Sequence, residues 1–246
     1  MQKTNQQNKD TLFEKQFESV KAFAFDEQVA EVFTDMIQRS VPGYETILKS
    51  IAMFAMKYTR ENSNIYDLGC SLGAVSVTIA KAIEKKNCTI HAIDTSEAMI
   101  KRCQAIVNKE NLDEQIVVHQ DDILKHKLEN ASVIVSNFTL QFLPQNQRQK
   151  AIENIFAGLN NGGIFILSEK VSGCNATDDF MIDHYHAYKK INGYSNKEIQ
   201  QKRQALKDVL VPDSEGEITQ RLSDIGFMKI YKWFQCFNFS SFIAIK

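Results

Sequence analysis

The sequence lacks the paired cysteines and the targeting segment that would indicate an oxidising compartment. Its 246 residues contain five cysteines, and none of them forms a C-x-x-C pair. They are Cys70, Cys88, Cys103, Cys174 and Cys236. Because no signal peptide precedes them, we expect reduced thiols and a cytoplasmic location.

Long apolar segments and an excess of one charge are missing as well. No run approaches the roughly 18–20 apolar residues that a membrane-spanning helix needs, so no membrane partner is expected. Lysine and arginine number 29 against 30 aspartates and glutamates, which gives a net charge of −1. This balance creates no global basic field, so direct binding of nucleic acid is not expected.

What remains is the composition of a globular protein with a sizeable core. Hydrophobic residues make up 43% of the chain and charged residues 24%, both ordinary values. The length suits one large domain or a domain with an insertion, without internal repeats or long linkers. We predict an N-terminal arm over residues 1–24, mobile over Met1–Lys9, and a single domain over residues 25–246.

The most informative stretch is Ile65–Gly73, which has the sequence I-Y-D-L-G-C-S-L-G. It predicts a buried strand over Ile65–Leu68, a turn at Gly69 and a helix over Val75–Ile83. Glycine lets the backbone approach a ligand closely, and the start of the next helix offers free N–H groups. Glycine turns after strands are common, so the loop alone leaves the function open.

The acid and the serine of this loop distinguish between two kinds of nucleotide-binding loop. A dinucleotide-binding loop would have the order G-x-G-x-x-G, whereas Ser71 stands where its middle glycine would be. Asp67 precedes Gly69 by two residues. The resulting D-x-G-x-x-x-G order resembles the first motif of the class I S-adenosylmethionine-dependent methyltransferase fold.

A second acid ends the next predicted strand, Thr89–Asp94. Thr95 or Ser96 then caps the following helix. Asp94 comes 25 residues after the first glycine of the loop (94 − 69), a spacing at which an acid binds a ribose diol in many nucleoside-binding sheets. A carboxylate supplies two acceptor oxygens for the two hydroxyls. The alternative is a plain acidic charge at a helix N-terminus.

The third and fourth predicted strands also end in groups suited to a nucleoside. Ile116–Gln120 is followed by Asp122 and Ile123. In the methyltransferase layout, such an acid accepts from the adenine amine, and the isoleucine packs on the ring. Val133–Phe138 carries Asn137 near its end, and an amide that donates and accepts suits the amino-acid part of the ligand.

The order of elements predicts the fold class. Strands alternate with helices as far as Ile164–Ser168, which implies a parallel sheet covered on both faces. Met228–Tyr231 and Phe239–Ile245 have no helix between them and are most simply antiparallel. We predict an α/β, doubly wound, mostly parallel seven-stranded Rossmann-like methyltransferase sheet with a C-terminal antiparallel hairpin. Two helices, Asp26–Gln38 and Tyr44–Tyr58, precede it and are expected to cover its mouth.

A helical insertion over residues 171–216 interrupts this order. Its predicted helices are Asp179–Ile191 and Asn196–Leu210. In this fold the insertion lies above the carboxyl edge of the sheet, so we expect it to set substrate specificity or dimer contacts. His184 and His186 do not share a helix face, so no metal site is predicted.

Several segments together are more specific than the fold. They are Ser40–Tyr44, Tyr66–Ser71, Asn137–Leu143, Asn192–Ser195, Gln201–Arg203 and Trp233–Phe239. From about Phe25 to its C-terminus the chain resembles the carboxy-S-adenosylmethionine synthase family. The serine of the loop, unusual among methyltransferases, is the normal pattern of that family.

The resemblance implies a transferase that converts S-adenosylmethionine and prephenate into carboxy-S-adenosylmethionine and phenylpyruvate. It also implies a homodimer, and a partner enzyme that uses the product to carboxymethylate a hydroxylated wobble uridine in tRNA. The ligand contacts implied for this chain, with the acid of the loop motif added, are Tyr44, Asp67, Gly69, Cys70, Ser71, Asp94, Thr95, Asp122, Ile123, Asn137 and Arg203. The family often has asparagine at position 95, so the contact of Thr95 is through the backbone or altered.

Arg203 is the candidate catalytic residue. A guanidinium binds a carboxylate through two hydrogen bonds and stays charged, so we expect Arg203 to hold the carboxylate of the product, in its own subunit or in the partner's. No general base is assigned. Cys70 is expected to be a packing residue because no histidine is placed near it. Two alternatives share the same fold: a conventional methyltransferase for a small molecule or tRNA, and a non-catalytic S-adenosylmethionine-binding protein.

Overall fold

The computed structural model describes residues 8–17, 19–83, 87–173 and 176–246. The strands are β1 (Asn64–Leu68), β2 (Thr89–Asp94), β3 (Ile116–Gln120), β4 (Ala131–Asn137), β5 (Leu159–Lys170), β6 (Lys229–Cys236) and β7 (Phe239–Ile245). The helices are α1 (Glu27–Ser40), α2 (Tyr44–Tyr58), α3 (Ala74–Ala82), α4 (Glu97–Lys109), α5 (Gln145–Gly158), α6 (Ala176–Ile191), α7 (Asn196–Leu206) and α8 (Glu215–Ile225). Within these ranges no helix is both long enough and apolar enough to cross a bilayer.

The strands form one sheet in the order β3-β2-β1-β4-β5-β7-β6. The first five are parallel to one another, and β7 runs antiparallel between β5 and β6. The predicted fold class, including the C-terminal hairpin, is confirmed. Because the chain order reverses direction at β1, the carboxyl ends of β1, β2 and β4 border one crevice, the usual ligand position in open α/β sheets.

Alternating side chains of the strands supply two hydrophobic cores. Ile65 of β1 packs with Ile51 of α2 and Ile79 of α3 on one face. Leu68 packs with Ile152 of α5 on the other face. All five side chains are at most 1% exposed, and burying such a side chain contributes roughly 1.5–3 kcal/mol. The sheet is therefore held from both sides, which fixes the loops at its carboxyl edge.

Several helix bounds differ from the prediction, among them the start of α6, which is Ala176 rather than Asp179. Helix α7 ends at Leu206 rather than Leu210. Helix α8 was not predicted, although Ser214 and Glu217 form a capping box at its start. The pattern S-x-x-E ahead of an apolar run would have found it.

The described part of the N-terminal arm packs on the insertion. Asp10 is 1% exposed and accepts a 2.6 Å hydrogen bond from the Tyr194 hydroxyl. The Gln201 amide donates to the carbonyls of Phe13 and Lys15, at 2.8 Å each. The division between arm and domain stays a prediction, and residues 1–7 lie outside the described chain. The contacts nevertheless tie the arm to α7.

Three histidines form a stacked cluster on the β1–β2–β3 side of the sheet. The His91 Nδ1 lies 3.0 Å from the His119 Nε2, and the His91 ring stacks on Tyr66 with centroids 4.8 Å apart. The His126 Nδ1 lies 2.8 Å from a carboxylate oxygen of Asp121. Burial, helped by the charges of His119 and His126, lowers the pKa of His91 to about 4. The fold therefore favours neutral His91.

The His91→Phe variant is expected to lose less stability in acid than the wild type. The pKa of histidine is about 6.5 in an unfolded chain. Between that value and about 4 the unfolded chain binds a proton that folded His91 does not, so wild-type stability falls as pH falls. After allowance for partial exposure, this contribution is about 1–2 kcal/mol. Thermal unfolding of both proteins from pH 7 to pH 4.5 measures it, and parallel curves would contradict the assignment.

Candidate active site

One cavity of about 580 Å³ lies between the carboxyl edge of the sheet and helices α1, α6 and α7. Its size falls in the usual range for a small-molecule site, about 300–1,000 Å³. Its wall includes every site residue predicted from the sequence. They are Tyr44, Asp67, Gly69, Cys70, Ser71, Asp94, Thr95, Asp122, Ile123, Asn137 and Arg203. Their roles toward a ligand stay predictions.

The loop after β1 is shaped by left-handed backbone. Gly69 has φ +76°, and an added Cβ would overlap the Thr139 side chain, so glycine is required there. Ser71 also has positive φ, at +48°. The N–H groups of Gly69 and Cys70 both donate to the Ile93 carbonyl, at 2.8 and 2.9 Å. These bonds hold the loop beside the end of β2.

The Asp94 carboxylate is aimed by the backbone around it. One oxygen accepts from the Ser71 N–H and the other from the Ser96 N–H, each at 2.9 Å. Burial raises the pKa of Asp94, while hydrogen bonds from the backbone of Ser96, Ser71 and Thr95 lower it. Because each carboxylate oxygen accepts about two hydrogen bonds, both keep capacity for a ligand hydroxyl. Ser96, rather than Thr95, caps α4.

Asp67 also positions the loop. Its carboxylate accepts from the Ser76 hydroxyl at 2.6 Å and from the Ser76 N–H at 3.1 Å, which anchors the first turn of α3. Burial raises the pKa of Asp67 to about 6, against the effect of the Ser76 hydrogen bonds, and the charge of Asp94 raises it further. Asp67 therefore shapes the cavity as well as lining it.

The residues after β3 and β4 complete the sheet side of the cavity. Asp122 accepts from the Leu124 N–H at 2.9 Å, and Ile123 is 7% exposed. Asn137 carries a buried side-chain oxygen that has no hydrogen-bond partner among the described residues. Buried polar atoms are almost always paired, so this oxygen keeps its capacity to accept a hydrogen bond from a donor in the cavity.

Tyr44 and Cys70 both lie in the cavity wall. Tyr44 begins α2, and its pKa is raised by burial and by the charge of Asp67. The pKa of Cys70 is raised by a hydrogen bond with Cys103 and by burial, so the thiol stays protonated. This supports the packing role. Cys70, Cys103 and Cys236 form no disulfide bond, and Cys174 lies outside the described residues.

Arg203 lies at the rim of the cavity on α7. Its side chain is exposed, and it lines both the main cavity and a smaller depression beside His186 and Lys190. The start of α7 is fixed by a capping box between Ser195 and Glu198. The insertion thus lies over the carboxyl edge of the sheet, as the sequence predicts.

Charge is divided across the cavity. The sheet side carries acids, which are Asp67, Asp94 and Asp122. Basic groups line the rest of the wall, mainly on α6 and α7, with one at the end of β5; they are Lys170, His186, Lys189, Lys202, Arg203 and Lys207. Of these six, sequence reasoning assigned only Arg203 to the site. The i, i+4 spacing of Tyr185 and Lys189 would have placed that lysine on the inward face of α6.

The loop, the sheet order and the cavity define the class of S-adenosylmethionine-dependent methyltransferase folds. A methyltransferase-domain family matches residues 65–163. The solved structure of a putative S-adenosyl-L-methionine-dependent methyltransferase from Methanococcus maripaludis superposes with a TM-score of 0.60. It is 21% identical, and the match covers 94% of this chain and 97% of that one. At this identity the likeness shows the fold alone.

Sequence relatives identify the family within this class. The carboxy-S-adenosyl-L-methionine synthase of Vibrio campbellii is 48% identical over 97% of this chain and 98% of its own length. That of Pseudoalteromonas translucida is 47% identical over 97% and 99%. The chain therefore belongs to the carboxy-S-adenosyl-L-methionine synthase family. The predicted enzyme class is confirmed, a transferase with S-adenosylmethionine as substrate and carboxy-S-adenosylmethionine as product.

Proposed function

We propose that the chain converts S-adenosylmethionine and prephenate into carboxy-S-adenosylmethionine and phenylpyruvate. The observation that carries this proposal is the charge division of one cavity, with acids at the ends of β1, β2 and β3 and basic groups mainly on α6 and α7. A cationic nucleoside substrate suits the acids, and a dicarboxylate suits the cations.

On the sheet side, four residues are proposed to hold S-adenosylmethionine. The aimed carboxylate of Asp94 accepts from the ribose hydroxyls. Asp122 accepts from the adenine amine, with Ile123 against the ring. The unpaired oxygen of Asn137 accepts from the amino group of the methionine part. The assignments of Asp94, Asp122 and Asn137 use hydrogen-bonding capacity that the protein leaves open, and that of Ile123 uses its apolar surface.

The proposed reaction balances without a protein base. Prephenate loses carbon dioxide and hydroxide as its ring becomes aromatic, which leaves phenylpyruvate. The sulfonium methyl loses a proton, which the hydroxide takes to form water, and the carbon dioxide adds to the methyl carbon. The protein contributes proximity and exclusion of water, which keep carbon dioxide from escaping. Arg203 is proposed to bind the new carboxylate.

The biological setting is proposed from the same family. The chain acts in the cytoplasm as a homodimer and supplies its product to a tRNA carboxymethyltransferase. Its net charge of −1 favours a role as supplier of the small-molecule donor over direct contact with tRNA.

Mass spectrometry of the reaction mixture tests the proposed function. Purified enzyme is incubated with S-adenosylmethionine and with prephenate labelled with ¹³C in its ring carboxylate. We expect a product heavier than S-adenosylmethionine by one labelled carboxyl group, together with unlabelled phenylpyruvate in equal amount. A parallel incubation without prephenate is the control.

Other products would contradict the proposal. S-adenosylhomocysteine formed with an added acceptor would indicate a conventional methyltransferase. Unchanged S-adenosylmethionine in both incubations would indicate a protein that only binds it.

A further inference from the structure

The basic wall of the cavity contains a buried lysine, Lys189. Lys189 of α6 is 5% exposed and lines the cavity. Its ammonium lies 5.2 Å from the Tyr185 ring centroid and 5.4 Å from that of Tyr194. Among the side chains that the structure describes, its ammonium has no partner in a hydrogen bond or an ion pair. A largely buried ammonium without an anion beside it is unfavourable.

A neighbouring lysine, Lys202, does have an acidic partner. The Lys202 ammonium lies 3.6 Å from a carboxylate oxygen of Asp10 and 3.3 Å from the Ser40 hydroxyl. The same Asp10 carboxylate accepts from the Tyr194 hydroxyl at 2.6 Å. Asp10 is thus already shared between a lysine and a tyrosine, which leaves the charge of Lys189 in excess.

Lys189 and Arg203 both line the cavity, beside His186. His186 lies one turn before Lys189 on α6, and its pKa is lowered by burial and then by the charges of Arg203 and Lys189. Both cations therefore act on one imidazole at the cavity wall. They come from different helices, α6 and α7, and so can hold two separate carboxylates.

We propose that Lys189 binds the carboxylate of prephenate that is retained in phenylpyruvate. This inference rests on the proposed function, because it names a subsite for the same co-substrate. Binding of the departing ring carboxylate by a buried cation would stabilise the ground state and oppose its loss. A cation on the retained carboxylate anchors the substrate without this penalty. The rings of Tyr185 and Tyr194 beside the ammonium make its surroundings less polar than water, which strengthens a contact with a carboxylate.

The lowered pKa of Lys189 agrees with a site that an anionic ligand completes. Burial, with the charges of Lys202 and Lys170, lowers the pKa of Lys189 to about 7, while Asp10 raises it. A carboxylate beside the ammonium would raise this pKa and keep the lysine charged.

Product inhibition by phenylpyruvate tests the assignment, because this compound carries only the retained carboxylate. In the Lys189→Met variant we expect the inhibition constant for phenylpyruvate and the KM for prephenate to rise roughly 10- to 100-fold, the loss of one charge-assisted hydrogen bond. The Kd for S-adenosylmethionine should stay within about twofold. Lys190→Met, an exposed position on the same helix, is the matched control.

A neutral probe tests the same contact in the unaltered enzyme. The methyl ester of phenylpyruvate should inhibit the wild type more weakly than phenylpyruvate by a similar factor, and Lys189→Met should not distinguish the two. Equal inhibition of the wild type by acid and ester would overturn the inference even if the variant does not fold. A raised KM for prephenate with unchanged phenylpyruvate inhibition would assign Lys189 to the departing carboxylate instead. Failure of the wild type to make any product from prephenate would refute the proposed function itself.

Discussion

The Asp94→Ala variant is expected to bind S-adenosylmethionine at least about 100-fold more weakly than the wild type, because two charge-assisted hydrogen bonds to the ribose are lost. Both carboxylate oxygens are already oriented by backbone N–H groups of Ser71 and Ser96, at 2.9 Å each. The ligand therefore meets an acceptor pair that needs no reorganisation. Isothermal titration calorimetry with S-adenosylmethionine measures the change in Kd.

Glu97→Ala is the matched control for this prediction. Glu97 is an exposed acid in the first turn of the same helix, α4, and lies outside the cavity wall. If Asp94 acted only as a negative charge at a helix N-terminus, both variants would change the Kd by the same few-fold factor. We expect Glu97→Ala to bind like the wild type. Equal affinities of the two variants would contradict a ribose contact by Asp94.

The sheet could be predicted from the sequence because its signals are local. Strands β2, β3 and β7 begin and end where the sequence predicts, at Thr89–Asp94, Ile116–Gln120 and Phe239–Ile245. Each is an apolar or β-branched run bounded by turn residues. The sheet side of the cavity follows from the same signals, because parallel strands bring their carboxyl ends to one edge.

The other side of the cavity could not be predicted in this way. Lys189 and Lys202 look like ordinary charged positions of helices in a one-dimensional pattern. Their burial arises from contacts far apart in sequence, above all the approach of Asp10 to Lys202 and Tyr194. No periodicity reports such contacts, since they join the arm, α1 and the insertion. Asn137 was found as a candidate, but its unpaired oxygen is visible only in three dimensions.

The Arg203→Ala variant is expected to form carboxy-S-adenosylmethionine about 100- to 1,000-fold more slowly, the usual effect of removing a group that stabilises developing negative charge. Its Kd for S-adenosylmethionine should change little, because Arg203 lies at the rim on α7, across the cavity from the sheet acids. Arg203→Lys keeps the positive charge but cannot form the bidentate hydrogen bonds of a guanidinium, so we expect an intermediate rate. Product formation at saturating S-adenosylmethionine, followed by mass spectrometry, measures the rates of both variants and the wild type, and isothermal titration calorimetry measures the Kd.

Lys197→Ala provides the control on the same helix, since Lys197 is exposed and lies outside the cavity wall. This variant should form product at the wild-type rate. If Arg203→Ala also formed product at the wild-type rate, Arg203 would not have the proposed role.

Because Arg203 and Lys189 are assigned to different carboxylates, Arg203→Ala should leave inhibition by phenylpyruvate unchanged while Lys189→Met weakens it. If both substitutions weakened this inhibition equally, the two cations would form one undivided anion site.

A mixture of the Arg203→Ala and Asp94→Ala variants shows which subunit's cavity Arg203 serves. Activity returns in mixed dimers only if Arg203 serves the partner's cavity.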